Sequence, residues 1–218
     1  MTRFLRFWWD LIRFFFRLLY GPFAWTYDAV AWTVSLGQWT AWVRTVLGYL
    51  GGPRVLELAH GPGHLQVAMN RPGLTPIGVD LSPQMGRIAH RRLQREGMPP
   101  RLVRARAQAL PFCDAAFRGV AATFPTEFII DPQTVQEIVR VLSVPGIVVI
   151  VAGCRLPGRD PFSLFLEWLY RVTGQRGLLP QASEAAWRQS GLALRTEWVD
   201  VGRTRVLLVI GERFHDPV

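Results

Sequence analysis

The sequence predicts an α/β protein built on a Rossmann-like, mostly parallel sheet, preceded by a helical extension and closed by an antiparallel hairpin. Three observations predict it. Arg54-Val-Leu-Glu-Leu-Ala-His-Gly-Pro-Gly63 reads as a short buried strand, a glycine-containing turn and a helix start. Ile77-Gly-Val-Asp80 follows as a second strand that ends in a carboxylate, about 20 residues after the first, the spacing at which an acid reaches the hydroxyls of a nucleoside ribose. Near the end, Leu192–Val201 and Thr204–Ile210 flank Gly202-Arg203, a hairpin turn.

The elements follow in order. Residues 1–22 form a basic aromatic segment. Arg3, Arg6, Asp10, Arg13 and Arg17 recur at three- and four-residue steps, one face of a helix, and nearly everything between them is Phe, Trp, Leu or Ile. The arginines recur too often for a transmembrane span or the apolar core of a signal peptide. An amphipathic helix in the membrane interface fits, with arginines toward lipid phosphates; so does a helix packed on the protein itself or on a partner. Gly21-Pro22 ends it. Residues 23–50, with Trp32, Trp39 and Trp42 between Tyr27 and Tyr49, read as a helical cap. The rest, 51–218, reads as one α/β domain. Within it Ser82-Pro83 is a helix start, a hydroxyl N-cap with proline at the first helical position. Leu102-Val103 is a weak third strand, Gly119–Ala122 a fourth, and Asp131-Pro132 opens a helix through Leu142. Ile147–Val151 is the clearest buried strand. Residues from about 155 to 180, apolar between Pro157-Gly158 and Gly177, read either as a lid over an apolar substrate or as a helix packed on the sheet.

The first turn departs from the glycine pattern of dinucleotide folds. Glu57 ends its strand, and Ala59, Gly61 and Gly63 follow at alternate positions. A carboxylate there repels a pyrophosphate and suits a cationic amino-acid group. Together with Asp80 it points to S-adenosylmethionine, which carries an ammonium, a sulfonium and a ribose but no phosphate.

Residues 54–152 resemble class I S-adenosylmethionine-dependent methyltransferases, and within them the ubiquinone/menaquinone C-methyltransferase family. The likeness lies in Val55–Gly63, in Gly78-Val-Asp-Leu-Ser-Pro-Gln-Met85, and in Ala107-Gln-Ala-Leu-Pro-Phe112 with Phe117 after it. Tyr27-Asp28 and Ser35–Trp39 resemble the family's N-terminal cap. The resemblance implies a seven-stranded sheet and a methyltransferase. It places Asp80 on the ribose, and Glu57 with the Ala59–Gly63 turn, including His60, on the amino-acid end. Leu81 and Met85 flank the adenine, Ala107 and Gln108 lie by its edge, Tyr27 caps the pocket, and Phe124 stands near the methyl group. Glu127 is a candidate base, although alignment alone can drive much of a methyl transfer. Two positions depart from the family: Arg106 and Arg118 stand where aspartates are usual. Arginine cannot accept from an adenine amine. Either backbone groups and Gln108 suffice, or the site is weakened and the protein no longer catalyses.

The charge is +9 and every cation is arginine; residues 1–20 hold +3, and the remainder reads as general basicity. Cys113 and Cys154 show no paired spacing, and the four histidines, His60 and His64 among them, no metal-ligand spacing. No metal and no nucleic-acid partner are expected. The resulting expectation is a cytoplasmic enzyme, peripheral on the inner membrane face, that methylates an apolar acceptor such as a quinone precursor or lipid. The alternatives are a non-catalytic protein of the same fold docked on a membrane complex, and a soluble methyltransferase that dimerises through residues 1–20.

Overall fold

The computed structural model describes residues 26–70, 73–155 and 187–214. The basic aromatic helix expected over 1–22 lies outside the described residues. So does the lid-like insertion past Arg155.

Helix α1 (Tyr27–Ser35) ends where Leu36 and Gly37 turn left-handed, and Gly37 N–H caps the Trp32 carbonyl at 2.8 Å. Helix α2 (Trp39–Arg44) runs into a 3-10 turn over Thr45–Gly48. The helical cap expected between Tyr27 and Tyr49 is therefore two short helices with a tight corner. Strand β1 (Arg54–Leu58), helix α3 (His64–Met69), β2 (Thr75–Asp80), α4 (Pro83–Arg95) and β3 (Leu102–Arg104) follow. Then come β4 (Phe117–Thr123), a 3-10 turn over Glu127–Ile130, α5 (Pro132–Val141), β5 (Leu142–Arg155), β6 (Ala193–Val201) and β7 (Thr204–Arg213).

The seven strands form one sheet in the order β3-β2-β1-β4-β5-β7-β6. The first five are parallel, and β7 runs antiparallel to both its neighbours. Two apolar layers cover it. Leu56, Leu58, Val79, Val120, Val148 and Ile150 face α5 and Trp187, whose indole N–H donates to the Ile129 carbonyl at 3.2 Å. Val55, Ala121, Val149, Val151 and Leu208 face α2, the 3-10 turn after it, and α3. Burial on both faces is why these strands read as unbroken apolar runs.

Both helix starts form as the sequence predicts. The Ser82 hydroxyl accepts from Met85 N–H at 3.2 Å, and the Asp131 carboxylate accepts from Gln133 N–H at 2.9 Å, each with proline next in the chain. Strand β5 is longer than expected. It is paired on one side by β4 and on the other by the ten-residue β7, whose ladder runs from Gly146 to Arg155. Strand order reverses between β1 and β4, which makes the crevice beyond their C-terminal ends the topological switch point.

Candidate cofactor site

Side chains alternate along β1. Leu56 and Leu58 enter the α5 layer and Val55 the α3 layer, so Glu57 points toward α3. On β2, Val79 faces the α5 layer, which leaves Gly78 and Asp80 on the α3 side. The two acids thus stand on one side of adjacent strand tips, within electrostatic reach of each other.

Their surroundings differ. Glu57 is 1% exposed, and its Oε2 accepts from Gln66 Nε2 of α3 at 2.7 Å. Burial pushes its carboxyl up to about 8; the Gln66 hydrogen bond opposes the shift and the nearby Asp80 adds to it. Asp80 is half-buried and accepts two backbone amides, Gly61 N–H at 2.9 Å and Ser82 N–H at 2.8 Å. A carboxylate has about four acceptor positions, so two stay available, which is the number a ribose diol needs.

Gly78 makes the enclosure of Glu57 possible. A Cβ there would lie 2.9 Å from His60 Cδ2 and 3.1 Å from Gln66 Cδ, so glycine lets both side chains cross the strand. His60 packs in this space and its Nδ1 donates to the Gly61 carbonyl at 2.8 Å. Burial holds its pKa below the usual histidine value, against the pull of Asp80. The turn is left-handed at Ala59, Gly61 and Gly63. At Gly63 a Cβ would come 2.9 Å from Ala89 Cβ, so α4 closes directly on the turn. At Gly61 a Cβ would meet only the Ala59 carbonyl, at 4.0 Å, which leaves that side open for close approach by a ligand. Helix α3 has six residues, a weak dipole for a pyrophosphate. The turn fits the cationic, phosphate-free cofactor that the sequence predicts.

The cap is fastened to this turn. Asp28 on α1 accepts from His64 Nε2 at 2.8 Å and pairs with Arg92 of α4, which also donates to the Pro62 carbonyl. The His64 hydrogen bond and then the Arg92 charge hold the Asp28 carboxyl below its ordinary range, against partial burial. His64 therefore belongs to a latch beside the pocket.

The remaining predicted residues divide. Leu81 is 60% exposed at the head of α4, its carbonyl bound by Arg104 Nε at 3.1 Å. Met85 is fully buried on the inward face of α4 with Ala89 and Leu93, so it presents no surface to a ligand. Ala107 and Gln108 are partly buried, and Gln108 Nε2 donates to Asp131 Oδ2 at 3.0 Å, which leaves its oxygen as a free acceptor. Their loop is bolted to α5: Glu137 accepts Leu110 N–H at 2.7 Å, and Arg140 donates to the carbonyls of Leu110 and Phe112 and to Asp114. Phe124, past the end of β4, is left-handed at φ 47° and stacks on Trp39 with ring centres 4.6 Å apart. Sequence reasoning missed this pairing; the tryptophan spacing of α2 was its only signal. Glu127 is exposed in the 3-10 turn after β4. The Tyr27 side chain lies outside the described residues. Arg106 is exposed beside Gln108. Arg118, the second departure from the family pattern, sits at the start of β4 beside Gly52, at the opposite end of the sheet from Asp80. It has no bearing on the crevice.

A parallel sheet with this strand order, a terminal antiparallel pair, and an acid on each of two neighbouring strand tips beside an open glycine turn defines the class I S-adenosylmethionine-dependent methyltransferases. Residues 55–146 match the methyltransferase domain family, and the matches support a class I S-adenosylmethionine-dependent methyltransferase. Among relatives, it is 36% identical over 128 residues to a demethylmenaquinone methyltransferase of Thermus thermophilus, covering 57% of this chain and 56% of that protein. It is 31% identical over 136 residues to one of Renibacterium salmoninarum, covering 60% and 55%. The chain thus spans about half the length of these relatives. Among solved structures, a candidate S-adenosyl-L-methionine-dependent methyltransferase of Methanococcus maripaludis matches with a TM-score of 0.66 at 14% identity, over 89% of this chain and 94% of that one. Geranyl diphosphate C-methyltransferase of Streptomyces coelicolor, solved with S-adenosyl-L-homocysteine, matches at 0.58 and 16%, over 80% and 78%. At these identities the structural likeness shows the fold.

Proposed function

We propose that this protein transfers the methyl group of S-adenosylmethionine to an apolar acceptor at a membrane surface, with a quinone precursor as the leading acceptor class. The observation that carries the reading is the placement of Glu57 and Asp80 on one side of adjacent strand tips, beside the open face of Gly61. The cofactor supplies an electrophilic methyl on a sulfonium. Asp80 holds the ribose diol through its two free acceptor positions. The 59–63 turn receives the amino-acid end, with Glu57 behind it as a source of negative potential. The Gln108 oxygen, oriented by Asp131, accepts from the adenine amine in place of the aspartate that Arg106 replaces. Trp39 and Phe124 wall the crevice at the β4 end with a flat apolar surface suited to a ring-bearing acceptor.

Two features support the acceptor and location: the matched relatives include demethylmenaquinone methyltransferases, and residues 1–20 interleave four arginines with aromatic residues. No described helix is long and apolar enough to cross a membrane. Calorimetric titration with S-adenosylhomocysteine tests the cofactor site, and methyl transfer from labelled cofactor to a demethylated quinone tests the acceptor. An absence of binding heat would sink the enzyme reading. Binding with no transfer across quinone and lipid acceptors would favour the non-catalytic alternative, for which Arg106 remains the supporting residue.

A further inference from the structure

The net charge of this protein is concentrated, contrary to the general basicity expected. Residues 83–106 hold seven arginines against one acid, Glu96, a net +6 of the total +9; residues 1–20 hold the other +3, and the rest of the chain balances to zero. The fold gathers residues 83–106 at one edge of the sheet, because α4 packs over β2 and β3 and β3 is the outermost strand. Between α4 and β3 lies a groove of about 520 Å³. Arg87, Arg91 and His90 line one wall and Arg104 the other, with His60 and Asp80 at the end shared with the cofactor turn. Glu57, Gln108 and Phe124 take no part in it.

These arginines are not spent on structure. Arg92, on the other side of α4, is held by Asp28. Arg87, Arg91 and Arg104 are exposed, and none forms an ion pair among the described residues; Arg104 uses only its Nε, on the Leu81 carbonyl. Gly86 also lines the groove, and a Cβ there would meet nothing within 4 Å. Such a site matches a phosphate, which guanidinium groups bind bidentately. The groove has no Phe, Tyr or Trp on which a nucleic-acid base could stack.

We propose that the α4–β3 groove seats the phosphate of an anionic phospholipid, and so docks this edge of the sheet on the bilayer. The choice of lipid rests on the membrane-surface reading above. Docking there brings Asp80 and the mouth of the cofactor turn to the lipid surface, where an apolar acceptor resides.

The test is co-flotation of the full chain with vesicles of phosphatidylcholine alone or with a third phosphatidylglycerol. Compared are the wild type, Arg87→Gln/Arg91→Gln, and the charge-matched control Arg203→Gln/Arg205→Gln at the β6–β7 hairpin. Glutamine keeps the helix propensity of α4. The groove variant should lose about thirtyfold in partitioning to the anionic vesicles, while the control loses less than a third as much and neutral vesicles bind all three proteins equally. A Gly86→Leu variant, which fills the groove at constant charge, should also bind the anionic vesicles more weakly. Equal losses in groove variant and control, no effect of Gly86→Leu, or displacement from vesicles by duplex DNA or millimolar inorganic phosphate would each overturn the proposal. Titration with S-adenosylhomocysteine on the same variants keeps the two readings apart. It should be unchanged in the two arginine variants, and its failure in the wild type would count against the cofactor site and leave the groove result standing.

Discussion

The tips of β1 and β2 carry the two acids of the site, and they treat a carboxylate in opposite ways. At β1, Glu57 is enclosed by Gln66 and His60 and pushed up to about 8. At β2, Asp80 is half-buried and braced by the amides of Gly61 and Ser82. The contrast teaches that two acids with matching positions in a motif need not share a task. Under the proposed function Asp80 serves as a contact, and Glu57 as an acid that a neighbouring cation draws into its ionised form.

The largest expected effect breaks the Asp80 half. Asp80→Ala removes two charge-assisted acceptor positions, so S-adenosylhomocysteine affinity should fall at least about a hundredfold; unchanged calorimetry would refute the assignment. Glu57→Gln tests the other half through stability. Because the folded-state pKa of Glu57 is raised above its unfolded value near 4.5, ionisation penalises the folded state. The penalty is absent below about pH 4.5, grows as pH rises, and levels off above about 8. In the unliganded protein Glu57→Gln should therefore melt close to wild type at pH 5 and become more stable relative to it by pH 8.5, by a few kcal/mol at most. A difference in melting temperature that does not change with pH would show that Glu57 is not a buried acid.

Gly78→Ala sharpens the comparison by disturbing only the enclosure. The new methyl group would crowd His60, Leu102 and Gln66, costing about 1–3 kcal/mol in denaturant melts. Its effect on cofactor affinity should be smaller than that of Asp80→Ala. Trp39→Ala should cost stacking worth about 1 kcal/mol and raise KM for a ring-bearing acceptor while leaving cofactor affinity in place. Arg118→Asp, which restores the family's usual residue at the far end of β4, should leave cofactor affinity unchanged.

Local features of the site were legible in the sequence and long-range ones were not. The strand–turn–strand of residues 54–80 and the caps at Ser82 and Asp131 depend on neighbours in sequence, and they form as expected. The state of Glu57 depends on Gln66 and His60 crossing Gly78, a packing fact that no spacing reveals. The family resemblance puts Met85 beside the adenine, yet it lies on the buried inner face of α4. Arg118 was given weight by its motif position, although strand direction puts it a whole strand length from the crevice. The groove itself is not legible in the sequence, because α4 and β3 share it only once the sheet forms.

The bond that Asp28 makes across the glycine turn has a kinetic corollary. It joins α1 to α3 and α4 beside the glycine turn that the proposed function assigns to the cofactor. Asp28 is 49% exposed, so dissolved ions reach the clasp. Raising ionic strength should then quicken nucleoside exchange more than it weakens equilibrium binding, and turnover limited by product departure would speed up in brine.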